Sequence, residues 1–155
     1  MSKAEPSTYT ASLTHDRLIG ADSENICHPL INAHFGEDFI KDPYKFAAID
    51  FYNKNYNKWV ELKSFTKIVY DPERDVPFRV GKVNYINTQL RQFKHREYWL
   101  FFFLRATNDL YYIKYDQEAF TKFKRMVIER YDRPGIFDPV VNIPMRLLSK
   151  VLLPQ

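Results

Sequence analysis

Residues 48–63 read Ala48-Ile49-Asp50-Phe51-Tyr52-Asn53-Lys54-Asn55-Tyr56-Asn57-Lys58-Trp59-Val60-Glu61-Leu62-Lys63. The run Asn53 to Asn57 is turn chemistry between two strand-like segments, predicted over 46–52 and 58–68. A symmetric hairpin turning at Asn55-Tyr56 sets Tyr52 against Trp59, Asp50 against Glu61 and Ala48 against Lys63. The side-chain period of two then puts Asp50, Glu61 and Lys63 on one face, and Ile49, Phe51, Val60 and Leu62 on a core face. Directly opposed residues have Cβ atoms about 5 Å apart. Two carboxylates at that distance repel, which costs stability or raises one pKa.

Like charges are most readily brought together where a cation binds between them. Hard divalent metals such as Mg²⁺ take carboxylates, backbone carbonyls and water. Lys63, two residues beyond Glu61, would stand beside such a metal, orienting or activating a water or stabilising charge that develops on phosphate. The same spacing also arises on a solvated strand face, where Glu-x-Lys ions pair across the surface.

Upstream of the hairpin, Leu18, Ile19, Ile26, Leu30 and Ile31 line an apolar stripe of a helix over 16–35, with Gly36 as its stop. Pro29 implies a kink or a second helix start, and Gly20 a further division. Residues 1–14 are small and polar and read as a mobile tail. Downstream, 71–77 is a charged, Pro-bounded loop, and Val83, Ile86, Leu90 and Phe93 space a helix over 83–95. The aromatic run 98–104 suits a strand buried on both faces. Asn108-Asp109 turns the chain into a partner strand over 110–115. A helix follows over 117–131, with Asp116 as N-cap and Phe120, Phe123, Val127 and Tyr131 on one face. The order α-β-β-α-β-β-α predicts an α/β or α+β domain over 15–133, a small central mixed β-sheet flanked by helices. Residues 134–155 form a Pro-rich extension whose apolar end docks on its own domain or on a second copy.

Asp50, ten intervening residues and then Glu61-Leu62-Lys63 resembles the core motif of the PD-(D/E)XK nuclease superfamily, the restriction-endonuclease-like proteins. The similarity covers roughly residues 17–106, because that family also places a helix before the hairpin and a helix and strands after it, in an α-β-β-α-β-β order. Ile19-Gly20-Ala21-Asp22-Ser23-Glu24 resembles the family's first-helix segment, in which a glutamate reaches the metal. Gln89, within Tyr85-x-x-x-Gln89-x-x-x-Phe93, resembles a polar helix position near the active site of some branches. Ile49 stands where the family's namesake proline would be. The resemblance implies Mg²⁺ or Mn²⁺ held by Asp50, Glu61 and the Leu62 backbone carbonyl, Lys63 handling the attacking water, and Glu24 as an auxiliary acid. It implies hydrolysis of phosphodiester bonds in DNA or RNA, and a homodimer as one arrangement. A catalytically inactive module on the same fold, binding nucleic acid or scaffolding partners, is the alternative.

Composition sets the outer bounds. The chain has 155 residues and a formal charge of +4, with 45% hydrophobic and 27% charged residues, a globular mix. One cysteine, Cys27, excludes an intrachain disulfide. The longest apolar run falls far short of the roughly 18 residues of a membrane span. Residues 1–14 have no apolar core of a secretory signal, so an intracellular protein, cytoplasmic or nuclear, is expected. Charge concentrates in residues 54–105, which hold 11 basic and 5 acidic side chains. Arg79, Lys82, Arg91, Lys94 and Arg96 lie in an acid-free stretch, 77–96. They suit phosphate contacts, or they solvate a helix and guard the sticky strand after it. Tyr56 and Trp59 are the aromatics placed to meet bases; the other aromatics read as packing.

Overall fold

The computed structural model describes the backbone of residues 8–44, 48–130 and 133–152, and side chains from residue 22 onward. The elements run α1 (Thr8–Phe35), β1 (Phe39–Lys41), β2 (Phe51–Asn53), β3 (Lys58–Phe65), β4 (Asp75–Arg79), α2 (Val80–Gln92), β5 (Glu97–Leu104), β6 (Asp109–Lys114), α3 (Gln117–Thr121), β7 (Arg125–Glu129), β8 (Phe137–Pro144), a 3-10 turn (Met145–Leu147) and β9 (Ser149–Lys150). The fold is mixed α/β. A six-stranded sheet has the order β1-β2-β3-β5-β6-β9, and a three-stranded sheet the order β4-β8-β7. Only β3 and β5 pair in parallel; the other neighbours in the large sheet are antiparallel. A parallel pair needs a crossover, and here β4 and α2 supply it.

Strand β5 organises the core. Alternation sends Leu100, Phe102 and Leu104 to one face and Phe101 and Phe103 to the other, all at most 2% exposed. The first face packs with Val83 and Ile86 of α2 and with Val76, Phe78, Val141 and Ile143 of the small sheet. The second packs with Cys27 and Ile31 of α1 and with Phe51 and Val60 of the hairpin. The expected strand buried on both faces is therefore present, and it is sandwiched between α1 and the α2 layer.

Several elements differ from the sequence expectation. Helix α1 begins at Thr8, inside the expected tail, and runs through Gly20 and Pro29 as one element. Residues 71–77, expected as loop, contain the start of β4; Pro77 is tolerated there because β4 is an edge strand. The helix expected over 117–131 stops at Thr121, although Asp116 does cap it, accepting from the Ala119 N–H at 3.0 Å. Beyond it, Arg125-Met126-Val127-Ile128-Glu129 pairs with β8, where β-branched side chains fit an extended surface. Tyr131 lies outside the described residues. The C-terminal extension docks on its own domain: Met145, Leu148 and Val151 are buried, and β9 extends the large sheet through β6.

Candidate active site

The hairpin register is the expected one. Tyr52 opposes Trp59 and Phe51 opposes Val60. The ladder ends at Phe51, and residues 48–50 bend, so the first strand is shorter than expected. As a consequence Ile49 joins the α2-side core, the opposite side from Phe51 and Val60. Asp50 nevertheless stays in register. Its backbone carbonyl accepts from the Asp42 N–H at 2.9 Å, continuing the β1–β2 pairing. Its Oδ2 accepts from the Leu62 N–H at 2.7 Å. Asp50 thus ends against Glu61, within hydrogen-bonding reach of it.

Glu61 is 8% exposed, on the α2 side of β3. Lys63 follows on the same face and is exposed. Because a strand residue that pairs to one side directs its N–H and C=O the same way, the Leu62 carbonyl shares the Asp50 side with its N–H. Burial above all, then the Glu61 charge and the hydrogen bond to Glu61, pushes the Asp50 carboxyl up to about 8. The Leu62 amide and Lys82 pull the other way.

Glu24 reaches this pair from α1. Helical spacing puts Glu24, His28 and Asn32 on one stripe, and that stripe faces β1. His28 Nε2 lies 2.6 Å from the Phe39 carbonyl, and Asn32 Oδ1 accepts from the Phe39 N–H at 2.8 Å. Arg105, at the end of β5, holds Ser23 Oγ at 2.9 Å and Asp22 Oδ2 at 3.0 Å. These contacts fix the helix so that Glu24 meets Lys41 Nζ at 2.6 Å and comes within hydrogen-bonding reach of Asp50. Burial, opposed in part by Lys41, raises the Glu24 carboxyl above its usual range.

Lys82 belongs to the same cluster. Sequence reasoning placed it only in the basic stretch. Its Nζ lies 2.8 Å from Glu61 Oε2 and also donates to the Ala48 carbonyl. The missed signal was positional: a lysine in the first turn of α2 overhangs the strand that α2 covers. The other candidates disperse. Arg79 lies 3.6 Å from Asp138 of β8. Arg91 donates to Thr88 Oγ1 at 3.1 Å and is exposed, as is Lys94. Arg96 donates to Gln89 Oε1 at 3.2 Å and lies over the Phe93 ring at 3.7 Å and the Trp59 ring at 4.6 Å. So Gln89, Arg96 and Trp59 gather with one another, Trp59 two residues before Glu61 on the same strand, and Tyr56 is at the hairpin tip, 55% exposed.

Among the described residues, no group of three or more His, Cys, Asp and Glu could hold a metal ion. What remains is a carboxylate pair with a backbone carbonyl on the same side. That donor set suits Mg²⁺, which is commonly held by one or two carboxylates plus waters and substrate phosphate. Among the described residues, no helix is long and apolar enough to cross a membrane. No protein-family model matches the chain, and no curated protein is detectably similar to it.

Proposed function

We propose that this chain is a metal-dependent nuclease of the PD-(D/E)XK type, hydrolysing phosphodiester bonds of DNA or RNA. One observation supports the reading: Asp50 and Glu61 are brought into contact in a largely buried setting, with the Asp50 backbone carbonyl held by the Asp42 amide and its carboxyl by the Leu62 amide. Two ionised carboxylates so placed repel, and in this structure the proton on Asp50 and the Lys82 ammonium relieve that cost. A divalent cation between them turns that cost into a binding site. The α-β-β-α-β-β order of the family is part of the proposal; β1 and β4 are additions to it.

Asp50, Glu61 and the Leu62 carbonyl would hold Mg²⁺ or Mn²⁺. Bound there, the ion supplies Lewis acidity toward phosphate and lowers the pKa of water. Lys63, exposed on the same face, would handle the attacking water or a phosphate oxygen. Glu24 stays hydrogen-bonded to Asp50 and keeps it oriented. Lys82 balances Glu61 until a cation arrives.

A second reading rests on Lys82. The Glu61 charge is already compensated, as in a module that binds nucleic acid without cleaving it. Calorimetric titration with Mn²⁺ or Mg²⁺ separates the two. The nuclease reading expects binding heat that disappears in Asp50→Asn. Equal, featureless titrations of both proteins would favour the inactive module.

A further inference from the structure

The hairpin carries a second feature on the face that holds Glu61. Trp59 precedes Glu61 by two residues and so shares its face. Tyr52, its cross-strand partner, follows Asp50 by two. Tyr56 at the tip stacks on Tyr52, with centroids 5.2 Å apart and planes at 14°. Tyr52 lies 5.3 Å from Trp59, and Trp59 is 6.3 Å from Tyr98 at 23°. A row of rings therefore crosses the sheet from the exposed tip to Tyr98, which is buried, and passes one residue pair away from Asp50 and Glu61. Arg96 lies over Trp59.

Tyr56 is a costly choice for the tip. Its φ is +58°, in the left-handed region that glycine and asparagine occupy at low cost. Its sequence neighbours, Asn55 and Asn57, are residues better suited to that conformation. The backbone is held there by Asn53, which is 1% exposed. Asn53 Oδ1 accepts from the N–H groups of Asn57 and Lys58, both at 3.0 Å, and its carbonyl accepts from Tyr56 N–H at 3.0 Å. Trp59 Nε1 closes the turn on the Tyr56 carbonyl at 3.0 Å. The turn backbone is thus secured by groups other than the Tyr56 side chain, whose ring stacks on Tyr52 by one face and remains 55% exposed. The wall opposite is α2, where Lys82, Tyr85 and Gln89 share a face by helical spacing; Tyr85 is 38% exposed.

We propose that this row of aromatic rings is a stacking platform for unpaired nucleobases, so that the site takes single-stranded nucleic acid in preference to duplex. The proposal rests on the nuclease reading for the placement of phosphate at Asp50 and Glu61. Aromatic rings bind bases by their faces, which a duplex hides within its own stack. The charge of this segment is complementary: Arg96 lies over Trp59 at 4.6 Å, Lys54 is exposed in the turn between Tyr52 and Tyr56, and net charge over 54–105 is +6 by count. Phosphate attraction alone is indifferent to strandedness; the rings supply the preference.

The test is fluorescence anisotropy with short labelled oligonucleotides in EDTA, using single-stranded DNA, single-stranded RNA and the matching duplexes. The wild type is expected to favour single strands, and the DNA and RNA arms say which sugar is preferred. Tyr56→Asn is expected to weaken single-strand binding about tenfold, to leave duplex binding unchanged, and to change thermal stability little, since the relieved tip conformation offsets the lost stack on Tyr52. Tyr56→Phe is expected to retain the affinity. Equal binding of single strands and duplexes, unaltered in Tyr56→Asn, overturns the platform, as does loss of stability in Tyr56→Asn without loss of affinity. Cleavage with Mn²⁺ is read separately. Tyr56-dependent binding without cleavage supports the platform and removes the nuclease reading. Equal cleavage of duplex and single strands, indifferent to Tyr56, overturns the platform and leaves the nuclease reading standing.

Discussion

Asp50 holds its proton far longer than an exposed aspartate because burial and Glu61 both oppose its charge, which pushes its pKa from 3.8 up to about 8. Between those values the folded state binds a proton that the unfolded chain has released. Stability therefore falls as pH rises from about 4 to about 8 and levels off above that. Denaturant midpoints measured across this window are expected to show that slope, and Asp50→Asn is expected to flatten it. On the proposed metal-site reading, cation binding would displace the same proton, so calorimetry near neutral pH in buffers of different ionisation enthalpy is expected to report proton release. Cys27 gives a contrasting case. It is 0% exposed, and burial raises its thiol to about 12, so it is neutral and shielded. A thiol reagent is expected to label it only as the chain unfolds; labelling at native rates typical of an exposed cysteine would contradict the packing of α1. The Asp50–Glu61 opposition was legible in the sequence because the Asn-rich turn fixed the register. The Lys82 contact was not, because it depends on how α2 lies across β3.

At the scale of elements, the site is assembled from α1, the hairpin and the start of α2, and each anchor is separately testable. Lys82→Met removes the cation from Glu61, whose side chain is 10% exposed. The uncompensated carboxylates are expected to cost roughly 1–3 kcal/mol, less than the loss for a fully buried pair. Mg²⁺ or Mn²⁺ is expected to restore much of this in thermal melts, and a loss unresponsive to either ion would count against a cation site between the carboxylates. On β5, Phe102→Ala should cost about 3–5 kcal/mol by opening a cavity at the junction of the large sheet, α2 and the small sheet. Helix and strand identity were readable where the apolar period was strong, as in α2 and β5. They failed at β7, where Phe120, Phe123 and Val127 continue a helical period into a β-branched strand. They failed again at β4, where Pro and charge imitate a loop. In both places pairing with β8, the next strand after β7 but far along the chain from β4, overrode the local signal.

Across the whole molecule, the carboxylates, Lys63 and the aromatic row sit on the hairpin, whose second strand and the α2 that follows belong to the segment 54–105 that carries the excess positive charge. Affinity for any nucleic acid is accordingly expected to fall steeply with salt. Arg91 and Lys94, both exposed, should each reduce that dependence when replaced by Ala. The most direct measurement of the central claim is cleavage of a labelled panel of single-stranded, duplex and branched DNA, and of RNA, with Mg²⁺ or Mn²⁺, by the wild type beside Glu61→Gln and Lys63→Ala. The metal-site account predicts metal-dependent cleavage of at least one substrate by the wild type, abolished by EDTA and lost in both variants. Cleavage that is equal in all three proteins, or absent from the wild type on every substrate with either metal, would contradict it.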